Sequence, residues 1–454
     1  MKKLLVLGIT LAILTGIFRF FLGFFPWHLV AAPDVATGLG AKLACSGYYL
    51  SGQSEPEIIE DLASYSPATR LVALDFSQTN RVSADLKGLS TSSATYRPGL
   101  GCTLDVGDTA KLDSIDVEDI QASAEPWPKG KVVDTIVSDV QHTLDDIVTS
   151  SNESGLNTRA MVVVKNGNII AESYAQGADE NTPLLGWSMG KSLTAIMVGR
   201  YDKLNRINSL GDKALFAAWQ DQRKDISLEN LLQMSSGLVF DETYAPGSDS
   251  THMLFSAFSA SDVALGSELG FAPASHFSYS SGTTNIIARW LHQQLGENTQ
   301  KSVSFLNNEL FAPAGMHTAI FETDPSGVFV GSSYIYASGR DWARLGWLMA
   351  NNGEINGHQL LEPTWVEQAA AINSSENYPA YGFQFWLNKK DEAGNDLHWP
   401  KLPKDAYFMM GNRKQAVMVV PSQQLVIVRL GWTSGQYPME IQFNQIINAI
   451  ADAN

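Results

Sequence analysis

Residues 4–25 form a largely apolar run with one charge, Arg19, and Lys2 and Lys3 stand in front of it. At 22 residues the run is long enough to cross a bilayer, for which about 20 suffice. It is also longer than the core of a cleavable signal, roughly 7–15 residues. The pattern predicts an uncleaved signal anchor over residues 1–32, held in the inner membrane of a bacterium with the body in the periplasm. Two other readings stay open: a leader cleaved after Val30-Ala31-Ala32, which Pro33 disfavours, and a buried helix of a cytosolic domain.

Beyond the run the pattern changes twice. Short apolar stretches at 71–76 and 94–96 predict strands, with a turn at Tyr96-Arg97-Pro98-Gly99. Residues 125–130, Glu-Pro-Trp-Pro-Lys-Gly, read as a linker. A stripe through Val133, Ile136, Val140, Leu144 and Ile147 predicts an amphipathic helix. Strands at 160–165 and 168–173 are joined at Asn166-Gly167, the strongest short hairpin signal. Helical patterns dominate 187–370, where Ser338 with Asp341 marks one helix start. Strands return at 416–420 and 425–430 around a Pro421-Ser422-Gln423-Gln424 turn, followed by a helix over 439–452. Strands at both ends with helices between predict an α+β body whose sheet joins the two chain ends. The expected division is an anchor (1–32), a small domain (33–125) and a larger domain (126–454).

The 454 residues carry 31 basic and 47 acidic side chains, a net charge of −16. That balance excludes nucleic acid as the expected partner, because phosphates require a basic surface. Half of the excess, −8, falls within residues 33–125. Asp113, Asp116, Glu118 and Asp119 lack the spacing and glycine of a calcium loop and read as a solvated face. Cys45 and Cys102 are the only cysteines. In an exported chain they would form one bridge, closing a loop worth roughly 4 kcal/mol in the chain-entropy model; two buried thiols are the alternative. The eight histidines show no metal-binding spacing, and no metal or cofactor is expected.

Candidate chemistry sits at Gly186-Trp187-Ser188-Met189-Gly190-Lys191, which carries S-x-x-K and G-x-S-x-G on one serine. A nucleophile elbow needs a buried parallel strand just before the serine, whereas residues 177–183 are polar and broken by proline. S-x-x-K needs a helix that starts at the serine, so that positions i and i+3 share a face. Residues 192–201 continue as such a helix, with Leu193, Ile196 and Met197 on its apolar side. Lys191 then lies beside Ser188 at a helix N-terminus, and desolvation lowers its pKa toward that of a base. A Ser-His-Asp triad would leave Lys191 without a role.

With this motif the sequence resembles the serine β-lactamase and penicillin-binding protein superfamily. The likeness is to its class C-like branch of esterases, D-peptidases and 6-aminohexanoate-dimer hydrolases. Residues 226–238 (ISLENLLQMSSGL), 273–285 (PASHFSYSSGTTN) and 410–421 (MGNRKQAVMVVP) carry the likeness in the family's order. Residues 33–125 are similar to N-terminal extensions of exported members. The resemblance implies an antiparallel sheet flanked by helices, with a helical subdomain. It assigns Ser188 as the acylated nucleophile, Lys191 as its proton acceptor or the partner that tunes the base, and Tyr279 as the proton relay to the leaving group and to water. Ser281 would hydrogen-bond Lys191; a simple turn serine is its plain reading. The oxyanion hole would combine the N–H groups of Ser188 and Asn412 beside Gly411.

The third motif departs from the family. Met410-Gly411-Asn412 stands where β-lactamases carry Lys-Thr-Gly, which removes the usual carboxylate anchor. Strand alternation would allow at most one of Arg413 and Lys414 to face the cleft. Tyr244 and Trp187 are candidate pocket walls, with core packing an equal reading for Trp187. The expected function is a membrane-anchored serine hydrolase acting on a small ester, amide or peptide-like substrate. A β-lactamase or D-peptidase, and a catalytically silent binding protein on the same fold, are the alternatives.

Overall fold

The computed structural model describes Thr15, Gly16, residues 26–389 and residues 397–453. Apart from Thr15 and Gly16, the run at 4–25 lies outside the described residues. Among the described residues no helix is long and apolar enough to cross a membrane. The expected membrane anchor, and the inner-membrane and periplasmic placement drawn from it, are therefore not supported.

Helix α1 (Ala32–Tyr49) has Pro33 in its first turn, where a missing N–H breaks no intrahelical bond. Helix α2 (Glu55–Tyr65) starts from a capping box in which Ser54 N–H donates to the Glu57 carboxylate at 2.8 Å. Neither helix is among the elements expected above: α1 is buried on most sides and shows little amphipathic contrast, whereas α2 does carry a start signal in Ser54 and Glu57. A four-stranded antiparallel sheet follows: β1 (Ala73–Asp75), β2 (Arg81–Asp85), β3 (Thr91–Arg97) and β4 (Gly101–Leu104). The strand expected at 71–76 shortens to β1 because Pro67–Leu71 forms a 3-10 turn. Val82, Ala84, Ala94 and Leu104 pack with Leu39, Ala41 and Leu43 of α1 in one apolar cluster. Cys45 and Cys102 are bonded across it, with Cα atoms 6.0 Å apart.

The expected linker is docked, since buried Arg344 donates to the carbonyls of Pro128 (2.8 Å) and Gly130 (2.7 Å). Helix α3 (Ser138–Glu153) starts later than the stripe suggested. Val137 N–H is taken by the Ile170 carbonyl at 2.9 Å, so Val133 and Ile136 precede the helix and Ile136 is exposed. β5 (Thr158–Lys165) and β6 (Asn168–Tyr174) form the hairpin expected at Asn166-Gly167, whose positive φ values of 51° and 76° suit a tight turn. The two-residue strand β7 (Leu184–Leu185) leads into α4 (Met189–Asn205).

The helical half comprises α4 with α5 (Leu228–Leu232), α6 (Asp249–Phe255), α7 (Ala260–Leu265), α8 (Ser281–Gln294) and α9 (Thr299–Leu306). β8 (Ile320–Phe321) and β9 (Ile335–Ala337) pair beside β7 in the order β7-β9-β8. Helix α10 (Gly339–Ala350) is capped by Ser338, whose Oγ accepts from Asp341 N–H at 3.3 Å. A small hairpin, β10 (Glu354–Ile355) and β11 (His358–Gln359), and helix α11 (Pro363–Ala369) complete this half. The chain then returns to the main sheet through β12 (Trp386–Leu387), β13 (Tyr407–Gly411), β14 (Gln415–Val420) and β15 (Leu425–Gly431). It ends in α12 (Met439–Asp452), over the span the pattern predicts.

The main sheet is antiparallel, in the order β12-β13-β14-β15-β5-β6, so the last strand of the chain pairs with the first strand of the body. Alternation divides its side chains between two cores. Val162, Val164, Val417, Val419, Val426 and Val428 face α10 and the helical half. Met161, Val163, Met418 and Ile427 face Val140 and Leu144 of α3 and Phe443 and Ile446 of α12.

The N-terminal layer is tied to this body through a buried group. Glu322, just after β8, accepts from Lys42 Nζ, from Ser46 Oγ (2.8 Å) and from Cys102 N–H (2.6 Å). Lys42 also lies 4.2 Å from the centre of the Tyr334 ring. Burial alone pushes the Lys42 pKa down and the Glu322 pKa up; their mutual attraction opposes both shifts.

Candidate active site

Ser188 stands at the N-cap of α4, so its backbone faces the positive end of that helix. Trp187, just before it, adopts a left-handed conformation with φ 49°, a strained state for a bulky residue. Burial of its indole holds the turn: Trp187 is 1% exposed, stacks 5.6 Å from Tyr65 and lies 6.0 Å from Trp432. Trp187 is therefore part of the core, the second of its two readings, and is not among the residues that line the cavity. The strand before the serine, β7, is two residues long and antiparallel to β9, so no parallel elbow strand is present.

One turn into α4, Lys191 is buried among hydroxyls. Its Nζ donates to Ser188 Oγ (3.0 Å), to Ser281 Oγ (2.9 Å) and to the Ser332 carbonyl (3.2 Å). Burial lowers its pKa to about 8, against the opposing attraction of Glu242. Leu193, Ile196 and Met197, on the same helix, are packed in the core as expected. Among the described residues no histidine hydrogen-bonds Ser188; His398, which lines the cavity, bonds the Tyr378 hydroxyl.

Ser280 and Ser281 open α8. Ser280 Oγ caps the helix by accepting from Thr283 N–H at 3.0 Å, which leaves Ser281 in the first turn, pointed at Lys191. Tyr279 precedes the cap and borders the same cavity as Ser188. Its ring lies 5.3 Å from Trp386 and 4.8 Å from Lys191 Nζ. Burial raises its pKa, so the phenol keeps its proton at neutral pH.

Glu242 completes the cluster, and it was not anticipated from the sequence. Its carboxylate accepts from Ser281 N–H (2.8 Å) and Ser281 Oγ (2.5 Å) at the N-terminus of α8, where an anion is favoured. Burial raises its pKa, while Lys191 and Ser281 pull it down. Its one sequence signal is an acidic residue shortly after the Ser235-Ser236-Gly237-Leu238 segment. Tyr244, two residues on, lines the cavity as expected, with its phenol pKa pushed well above the usual value by burial.

Across the cleft, β13 ends at Gly411, and Asn412–Lys414 turn the chain back into β14. Gly411 touches the turn before Ser188: a Cβ there would lie 2.1 Å from the Gly186 carbonyl oxygen. Asn412 follows, its Oδ1 accepting from Arg413 N–H at 2.8 Å and its Nδ2 reaching the Tyr65 hydroxyl at 3.5 Å. The strand alternation expected for Arg413 and Lys414 fails, because both have positive φ (58° and 66°) and form the turn itself. Arg413 is buried, donates to the Ser64 carbonyl at 2.7 Å and lies over the Tyr65 and Trp432 rings. Lys414 stays exposed at the cavity margin.

These groups open into a cavity of about 1090 Å³ that Ser188, Tyr279, Gly411 and Asn412 share. The N-terminal layer supplies part of its wall, through the first half of α1 and the end of α2. Among the described residues no group of three or more His, Cys, Asp or Glu side chains is placed to hold a metal ion.

Residues 142–444 match the family model described as Beta-lactamase. A 6-aminohexanoate-dimer hydrolase of Paenarthrobacter ureafaciens is 22% identical over 295 residues, covering 61% of this chain and 71% of its own length. A Bacillus anthracis protein provisionally given the same name has a similar structure. Its TM-score is 0.57 at 20% identity, over 76% of this chain and 92% of that one. A family VIII carboxylesterase is similar over 71% of this chain and all of its own, with a TM-score of 0.51 at 13% identity. At such identities the structural likeness speaks for the fold.

Proposed function

The chain belongs to the beta-lactamase family, and from that premise we propose that it is a serine hydrolase cleaving ester or amide bonds through an acyl-enzyme on Ser188. One observation carries the reading: a buried lysine with pKa about 8 lies 3.0 Å from a serine hydroxyl that faces a cavity. Roughly one Lys191 in ten is then neutral at pH 7 and able to accept the Ser188 proton.

In acylation, Ser188 Oγ attacks the carbonyl carbon as its proton passes to Lys191. The N–H groups of Ser188 and Asn412 receive the developing oxyanion. Tyr279, held as a neutral phenol, gives its proton to the leaving oxygen or nitrogen as the scissile bond breaks, and Lys191 resupplies it through the shared hydrogen bonds around Ser188. Deacylation reverses these transfers: water attacks the acyl carbon, its proton passes to the Lys191–Tyr279 pair, and Oγ leaves protonated. Ser281 and Glu242 serve as positioning residues, since both act through Lys191.

Esters and amides are favoured over β-lactams because the usual carboxylate anchor of the third motif is missing, and Lys414 stands only at the cavity margin. Arg413 is committed to the Ser64 carbonyl and its two rings, and the third motif has no lysine at 410–412. A fluorophosphonate probe should label the wild-type protein and leave Ser188→Ala unlabelled. Absence of wild-type labelling would sink the enzyme reading and favour a silent binding protein. Nitrocefin turnover far above that of nitrophenyl esters would overturn the substrate ranking.

A further inference from the structure

The cavity at Ser188 is larger than a small ester fills. Its volume of about 1090 Å³ lies just above the roughly 300–1,000 Å³ that accommodates a whole drug-sized ligand. Its composition is also uneven. Among the described residues, the charged side chains that line it, Glu242, Arg413 and Lys414, border Ser188 and the β13 turn. The wall contributed by α1 has none among the described residues. It presents Ala32, Val35, Ala36 and Leu39, spaced i, i+3, i+4 and i+7, which places all four on one helix face. Pro246 and Phe255 add to the apolar lining.

Two features make this wall a built surface rather than a gap. Alanine at 32 and 36 leaves room that a larger side chain would occupy. The helix is also fixed in place: the Cys45–Cys102 bond ties it to β4, the Lys42–Glu322 pair ties it to the body, and Gly38 brings it against Phe255. A Cβ on Gly38 would sit 1.9 Å from the Phe255 carbonyl oxygen, so α1 and α6 meet at backbone distance. Water finds few partners on such a wall, and an apolar group that displaces it is stabilised.

We propose that the α1 wall binds an unbranched aliphatic chain of the substrate, so that the enzyme acts on medium-chain acyl or alkyl esters and amides. The proposal rests on the hydrolase reading of Ser188 and adds the substrate class. From Ala32 to Leu39 the helix advances about 10 Å, the length of an extended chain of about eight carbons. Each methylene fully buried there raises affinity roughly fourfold.

The test uses the full chain with 4-nitrophenyl acetate, butyrate, octanoate and decanoate, and decyl acetate to report a chain on the alcohol side. kcat/KM should rise at least tenfold from acetate to octanoate, or decyl acetate should exceed ethyl acetate by a similar factor. Ala36→Trp should lower the preferred long-to-short ratio at least fivefold; Ala32→Phe gives the same reading should Ala36→Trp not fold. Independently, Ser188→Ala should bind dansyl-undecanoic acid saturably and release it to decanoate. Flat profiles in both series, or a ratio unmoved by the wall substitutions, overturn the aliphatic site while leaving a Ser188 hydrolase intact. Probe binding without turnover of any ester keeps the site and sinks the hydrolase reading.

Discussion

Lys191 is where sequence and environment act most directly on each other. Its Nζ is surrounded by Ser188, Ser281 and the Ser332 carbonyl, while among the described residues the Glu242 carboxylate is the charge that holds its proton on. If neutral Lys191 is the base, kcat/KM for an activated ester rises with pH, with a limb near the lysine pKa of about 8, and levels off above it. Glu242→Gln removes the attraction that opposes burial, so the limb should move to lower pH. A limb unmoved in that variant, measured from pH 6 to 9.5, would show that Glu242 does not tune the lysine. Ser188, Lys191, Tyr279 and Ser281 were legible as candidates because S-x-x-K lies within one helical turn and the Tyr279–Ser281 segment carries a family pattern. Glu242 was not legible, since a loop brings it to the start of α8 and no spacing rule connects them. Arg413 was misread for a related reason: period-2 reasoning holds only within a strand, and its positive φ places it in a turn.

At the level of elements, hairpins and amphipathic helices of the body were readable, and helix α1 of the N-terminal layer was not. β5–β6, β14–β15 and α12 carry local signals: Asn-Gly, a Pro-led turn and a half-buried stripe. Helix α1 has no comparable stripe, because one side meets β2–β4, another meets α6 and a third lines the cavity. Its single lysine inside the cluster would be an error in an isolated helix and is explained only by Glu322, 280 positions away. Lys42→Met should therefore be strongly destabilising, by about 3–5 kcal/mol, because it leaves a buried carboxylate unpaired. Replacing both members, Lys42→Met with Glu322→Leu, should recover much of that loss. Urea unfolding of the three proteins measures both effects; equal stability of wild type and Lys42→Met would show that the pair contributes nothing to the attachment of α1.

For the whole molecule, the antiparallel sheet that joins the first and last strands of the body was foreseeable from strands at both ends with helices between. The placement of residues 33–125 against the cleft at Ser188 was not, since no local pattern encodes which surface a layer covers. The cleft consequently draws on distant parts of the chain: Tyr65, Ser188, Glu242, Tyr279, Trp386 and Asn412 all border it. On the β13 side it has a tight seam at Gly411, pressed against the Gly186 carbonyl oxygen. That seam limits how the enzyme could be redesigned. Grafting the β-lactamase signature as Met410→Lys, Gly411→Thr and Asn412→Gly would place a branched side chain where not even a methyl group fits. The graft should forfeit ester turnover and gain none on nitrocefin; a gain would reveal slack in β13. A new specificity would have to be installed from the opposite bank, where alanines leave space, so the route to altered substrates runs through the N-terminal helix and away from the motif that names the family.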